Sequence, residues 1–229
     1  MSTKLAVLNL RTQAAAEAIG TMLLVAGVVG SGIMAQRLTH DVALQLLCNT
    51  LATGALLIVL IMVFAPISGA QFNPAVTLAI YSRGELSSSR ALLFVVSQVA
   101  GGILGTLLAH AMFSLPLFAA GEKVRTGMGL WIGEGVATFG LVLTIFGCRS
   151  NGPRVVAIAV GLYISAAYWF TSSTSFANPA VTLARALTPT FTGIRPQDVP
   201  VFIVVHCIAA LAAGALGKWL FAESVSISR

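Results

Sequence analysis

The chain has 229 residues, of which 57% are hydrophobic and only 9% charged, and its mean hydropathy is +0.94. A soluble domain carries about a quarter of its residues as charges, so this composition places the chain in a lipid bilayer rather than among soluble proteins. The net charge of +6 comes without a basic stripe interleaved with aromatics, which argues for a membrane-topology signal and against a nucleic-acid partner.

Lys4 and Arg11 precede a first apolar span from about Thr12 to Gln36. A signal peptide is a poor fit, since the run is too long, contains Glu17 and lacks a small-residue cleavage site. Gly20, Gly27, Gly30 and Gly32 lie at spacings that let helices approach closely in lipid. Span two, about Val42 to Phe64, leads into Pro66-Ile67-Ser68-Gly69-Ala70, a stretch unsuited to a helix. It should turn into the protein interior, because irregular backbone survives at membrane depth only when shielded from lipid. Asn73-Pro74-Ala75 then opens a short helix running to about Tyr81, with Asn as N-cap and Pro at the first helical position. Span three follows, roughly Leu92 to Phe113, and a polar connection with Glu122, Lys123 and Arg125 ends the first half.

The plan then repeats. Span four begins near Leu130, and its Glu134-Gly135-Val136-Ala137-Thr138 parallels Glu17-Ala18-Ile19-Gly20-Thr21. After the turn Arg149 to Arg154, span five runs from Val155 to about Phe170 and leads into the hydroxyl-rich stretch Thr171 to Ser175. Asn178-Pro179-Ala180-Val181-Thr182-Leu183-Ala184 repeats Asn73 to Ala79 letter for letter. The stretch Thr188 to Gly193 lies outside, and span six, about Val199 to Phe221, closes the chain. The reading is one domain, 1–229, made of halves 12–113 and 128–221. Three spans and a half-span per half is an odd number of crossings, so the halves insert with opposite orientation. The expected fold is all-α, with six transmembrane helices and two re-entrant half-helices in an inverted repeat.

Eight basic residues fall on one side, Lys4, Arg11, Arg83, Arg90, Arg149, Arg154, Lys218 and Arg229, and five on the other, Arg37, Lys123, Arg125, Arg185 and Arg195. Cytoplasmic loops carry the excess of Lys and Arg, which puts both termini in the cytoplasm and the chain in the inner (plasma) membrane. Cys48, Cys148 and Cys207 are scattered and odd in number, and read as buried apolar thiols rather than a disulfide framework. His40, His110 and His206 are equally isolated, so no metal site or cofactor is implied.

Glu17 and Glu134 are the acidic residues deep within full spans. An unpaired carboxylate at the bilayer centre costs at least about 2.5 kcal/mol, so each needs a partner. Their symmetric placement favours acceptors that hold the re-entrant loops over an ion-coupling site.

The doubled Asn-Pro-Ala motif between six apolar spans resembles the major intrinsic protein family, the aquaporins and aquaglyceroporins. That resemblance implies a homotetramer with one pore per chain, passing water, glycerol and other small neutral solutes. Asn73 and Asn178 would grip a passing oxygen with amide donors, while the two helix ends repel cations and reverse a proton wire. It also implies a filter near the outer mouth, with one residue from each of spans two and five and two from the second loop. Counting twenty residues back from Asn73 gives Thr53; three back from Asn178 gives Ser175. For span five, counting forward from Gly161 gives Tyr168 and counting back from Asn178 gives Ala166, with Tyr168 favoured. The residue directly after the second Asn-Pro-Ala is commonly arginine in this family, yet here it is Val181. Valine gives an apolar wall and more room, so a wider filter is expected. In this respect the chain resembles bacterial members associated with arsenic resistance, which suggests arsenite and methylated arsenicals among the solutes.

Two other functions compete. A proton- or ion-coupled transporter also fits inverted repeats and buried carboxylates, but needs a site with alternating access. A membrane enzyme would need a base beside the Thr171 to Ser175 hydroxyls, and no His or carboxylate stands in motif with them.

Overall fold

The computed structural model describes residues 9–221. Six long helices, α1 (Leu10–Leu38), α2 (Val42–Ser68), α4 (Ser88–Met112), α5 (Met128–Cys148), α6 (Pro153–Phe170) and α8 (Val199–Leu220), are apolar and long enough to cross a bilayer. At about 1.5 Å per residue even the 18-residue α6 spans most of a hydrocarbon core about 30 Å thick. Two short helices, α3 (Pro74–Ser82) and α7 (Pro179–Arg185), complete the all-α, doubled plan expected from sequence.

Helix starts follow the local chemistry. Asp41 accepts from the Leu44 N–H at 3.0 Å, and Ser87 caps α4. Two boundaries differ from the sequence reading by about a turn: α4 begins at Ser88 rather than near Leu92, and α2 runs on past Phe64. Helix α2 does not end at Phe64 but continues through Pro66 to Ser68. Proline forfeits a single backbone bond there, close to the helix end, and Gly69 N–H resumes the pattern by donating to Ala65 O at 3.1 Å. Gly69 then takes a left-handed conformation, φ +93°, that ends the helix.

Helix α1 packs on α2 and α4, α5 packs on α6 and α8, and α2 against α6 joins the halves. The α1–α4 crossing needs bare backbone: a Cβ on Gly101 would lie 2.2 Å from Ala18 O. Small residues therefore set the interhelical distance, as in lipid they must, since apolar side chains gain little by leaving acyl chains. The two short helices exchange sides, α3 packing on α8 and α7 on α4. Neither half encloses its own half-helix alone.

Charges gather at the ends. At one end Glu85 bridges Arg83 at 2.7 Å and Arg149 at 2.5 Å. Burial by itself would raise the Glu85 carboxyl, but the hydrogen bonds from Arg149 and Arg83 hold it below the usual carboxylate range. At the other end lie Lys123, Arg125, Arg185 and Arg195. Lys4 and Arg229 fall outside the described residues. The thiols depart from expectation: Cys48 is exposed, and Cys148 and Cys207 are only partly covered. An apolar position in a membrane helix can face lipid as readily as the core.

Candidate functional site

Both re-entrant loops are strained in the same way. Ala70 and Phe72, three and one residues before Asn73, have φ +49°; Ser175 and Ala177, three and one before Asn178, have φ +50° and +48°. Left-handed backbone at non-glycine residues costs energy and persists only where surroundings enforce it. The enforcement comes from the two buried carboxylates. Glu17 accepts from the Gln71 and Phe72 N–H groups at 3.0 and 2.7 Å, from Ser68 Oγ at 2.6 Å and from Gln98 Nε2 at 2.8 Å. Glu134 accepts from the Phe176 and Ala177 N–H groups at 2.8 and 2.7 Å and lies 2.5 Å from His206 Nε2. His206, isolated in sequence, is thus the partner of Glu134, as Gln98 is of Glu17.

So anchored, the loops bring the N-termini of α3 and α7 together. Asn73 Oδ1 accepts from the Ala75 N–H, and Asn178 Oδ1 from the Ala180 and Val181 N–H groups. Pro74 and Pro179 stand at the first helical position, and Ala75 and Ala180 are fully buried behind them. The side-chain amides cross over. Asn73 Nδ2 donates to Ala177 O at 2.7 Å, and Asn178 Nδ2 donates to Phe72 O at 2.8 Å. Each Asn therefore caps its own half-helix, fastens the opposite loop and keeps one amide N–H to spare.

Both asparagines line a cavity of about 100 Å³ between the halves. Apolar residues such as Leu57, Ile61, Val160 and Ile164 form much of its wall. Thr53, Tyr168, Ser175 and Val181 line it too, and Tyr168 OH donates to Thr53 Oγ1 at 3.3 Å. Ala166, the other span-five choice, is exposed on the outside of α6. The structure thus brings together all four residues singled out for the filter and both Asn-Pro-Ala motifs.

Two arginines at this end escaped the sequence reading except as topology markers. Arg185 also lines the cavity, and its Nε donates to Thr192 O. Arg125, from the connection between halves, donates from Nε to Gly193 O at 2.9 Å and from a terminal nitrogen to Ser173 O at 3.2 Å. Both guanidinium groups lie against the Phe176 ring, with Cζ at 3.3 Å for Arg185 and 4.8 Å for Arg125. Burial pushes Arg125 down to about 10, against the pull of Glu134 and Tyr168. Lys123 is pushed down to about 8 by burial and then by Arg125 and Arg185. All remain mainly charged at pH 7, so this mouth is electropositive. Spacing could have flagged Arg185, which stands one helical turn beyond Val181; nothing local marks Arg125.

Among known proteins, residues 4–155 match the family model described as "Major intrinsic protein". The chain is 53% identical over 221 residues to the aquaglyceroporin AqpS of Rhizobium meliloti (strain 1021), covering 96% of this chain and 95% of that protein. It is 32% identical to a probable TIP-type aquaporin of Medicago truncatula, over 75% of this chain and 73% of that one. The X-ray structure of the aquaglyceroporin from Plasmodium falciparum superposes with a TM-score of 0.68 at 19% identity, covering 95% of this chain and 98% of that one, which establishes the shared fold. A family match over most of the chain and a relative more than half identical along nearly its whole length leave one assignment: this chain belongs to the major intrinsic protein family.

Proposed function

We infer that this protein is a passive channel for water, glycerol and other small uncharged solutes, not an enzyme. The observation that carries this reading is the crossed pair of Asn73 and Asn178, which line one cavity at the meeting point of two half-helices. Each helix end contributes about half a positive charge, and each amide offers a donor, so the middle of the passage accepts oxygen atoms and opposes cations. A water held there by two donors turns its own hydrogens outward in both directions, which interrupts proton hopping. The nearly full-length likeness to a protein named an aquaglyceroporin supports glycerol among the solutes.

Thr53, Tyr168, Ser175 and Val181 form the filter in this reading. Valine in place of a long cation leaves room for solutes wider than water, with arsenous acid and methylated arsenicals as candidates. Light scattering from proteoliposomes tests the whole: native protein should accelerate water, glycerol and arsenous acid flux well above empty vesicles. Native vesicles no leakier than empty ones to any neutral solute would overturn passive conduction, and flux that saturates and follows a proton gradient would replace it with coupled transport.

The functional unit in this reading is a homotetramer in the plasma membrane with both termini cytoplasmic. Supporting this are the basic bias of one end and the outward apolar groove between α5 and α8, where Ile132, Val136 and Ile208 lie exposed. Native mass spectrometry in mild detergent should give a mass four times that of the chain; a stable monomer would refute the assembly.

A further inference from the structure

Val181 leaves the position directly after the second Asn-Pro-Ala without a charge, yet the cavity at that mouth is not without one. Arg185 stands four residues further along α7, about 6 Å outward. Arg185 is 2% exposed and lines the same cavity as Tyr168, Ser175 and Val181. The repeat supplies an internal control. Val76 corresponds to Val181 and Ile80 to Arg185, and all four line the same cavity. The position seven residues after Asn therefore faces the passage in both halves, apolar at one mouth and cationic at the other.

The guanidinium is fixed at its back and open at its front. Nε is spent on Thr192 O and the plane rests on Phe176, while neither terminal nitrogen has a protein acceptor among the described residues. No carboxylate lies within ion-pair distance of Arg185 or Arg125 among the described residues; Glu134 acts on both only at longer range, and Asp198 takes the Arg125 backbone N–H and pairs with Arg195. On the wall of the same cavity Ser175 is 2% exposed and its hydroxyl lacks a partner. A buried hydroxyl without a partner and a guanidinium whose terminal nitrogens have no protein acceptor, both bordering one cavity, mark a place where something else completes their hydrogen bonds.

We propose that Arg185, together with Ser175 Oγ, forms the charged, solute-binding station of this pore, one turn outward of the residue that sets its width. The ligand class is a small uncharged solute with adjacent hydroxyls, which the guanidinium fork donates to while the serine hydroxyl accepts or donates. The inference rests on the channel reading above. Its consequence is that charge and width, united where one arginine does both, are separated along this passage. Val181 and Tyr168 decide what fits, and Arg185 rejects cations and orients hydroxyls before the solute reaches them.

The test replaces Arg185 by the residue that the first half carries at the same place, Arg185→Ile, with Arg185→Lys as the charge-retaining comparison. Proteoliposomes are assayed for water, glycerol and potassium flux. The isoleucine variant should conduct water above empty vesicles, leak potassium about tenfold faster than native and show a several-fold lower glycerol-to-water ratio. The lysine variant should keep potassium out but, lacking the planar fork, still lose glycerol relative to water. An isoleucine variant that conducts water with native potassium leak and native glycerol ratio overturns the proposal. If that variant does not fold, a lysine variant with an unchanged glycerol ratio does the same. Native protein that conducts no neutral solute would instead remove the channel reading itself.

Discussion

Glu17→Leu should leave no folded, monodisperse protein recoverable in detergent. Four donors converge on this carboxylate, Ser68 Oγ, Gln98 Nε2 and the N–H groups of Gln71 and Phe72, and Glu17 is fully buried. Leucine is of similar size and takes this acceptor from all four, leaving only Gln98 Nε2 with another, Thr77 Oγ1. Each buried group so orphaned costs about 1–3 kcal/mol, so the sum rivals the roughly 5–15 kcal/mol by which a folded domain is stable. The loop then loses the bonds that hold Ala70 and Phe72 in left-handed backbone, and with it the placement of Asn73. Gln98 does not compensate, because its amide already serves Thr77. Glu17→Gln keeps one carbonyl oxygen and presents an NH₂ to the other donors, so an intermediate loss of melting temperature is expected. Size-exclusion profiles and thermal melts in detergent read the series. A Glu17→Leu protein with the native profile and melting temperature would show that the carboxylate does not hold the loop.

Val181→Arg should reduce glycerol and arsenous acid flux by about 10- to 100-fold while water flux survives. Val181 lines the cavity on α7, whose partners there are Tyr168 from α6 and Thr53 from α2, joined by their own hydrogen bond. That bond braces the opposite wall, so the wall does not yield to a longer side chain. An arginine at 181 fills the space a valine leaves and brings a third guanidinium near Arg125 and Arg185, whose acceptors Thr192, Gly193 and Ser173 are already engaged. The new group has only the passage to point into, where water can solvate it and larger solutes are blocked. Val181→Ala, which narrows nothing, is the control and should conduct all three. Unchanged glycerol and arsenous acid flux through a folded arginine variant would show that the width of the passage is set elsewhere.

Much of this architecture was legible in the string of residues, and for local reasons. Apolar runs of bilayer length gave the six spans, and the Asn-Pro start gave both half-helices, because caps and hydrophobic length act within a few residues. Where an element's end depended on how much the surrounding fold tolerates, the reading slipped, as at Pro66, where α2 continues to Ser68. The need of Glu17 and Glu134 for partners could be argued from desolvation, but not the identity of those partners. Gln98 lies 81 residues from Glu17, and His206 lies 72 from Glu134, so only the packing of α4 on α1 and α8 on α5 brings them together.

Repeats, caps and apolar length are written in neighbouring residues, and so a doubled membrane fold with two asparagine-capped half-helices can be read from the string of residues alone. The tertiary structure alone decided which side chains share the passage. Tyr168 turns inward while Ala166, two residues away, turns out, because the rotation of α6 about its axis is fixed by its packing on α2. Arg185 and Arg125, 60 positions apart, meet at one Phe176 ring because both half-chains fold back to the same mouth. Facing and long-range approach belong to helix packing, and no local pattern of residues encodes them.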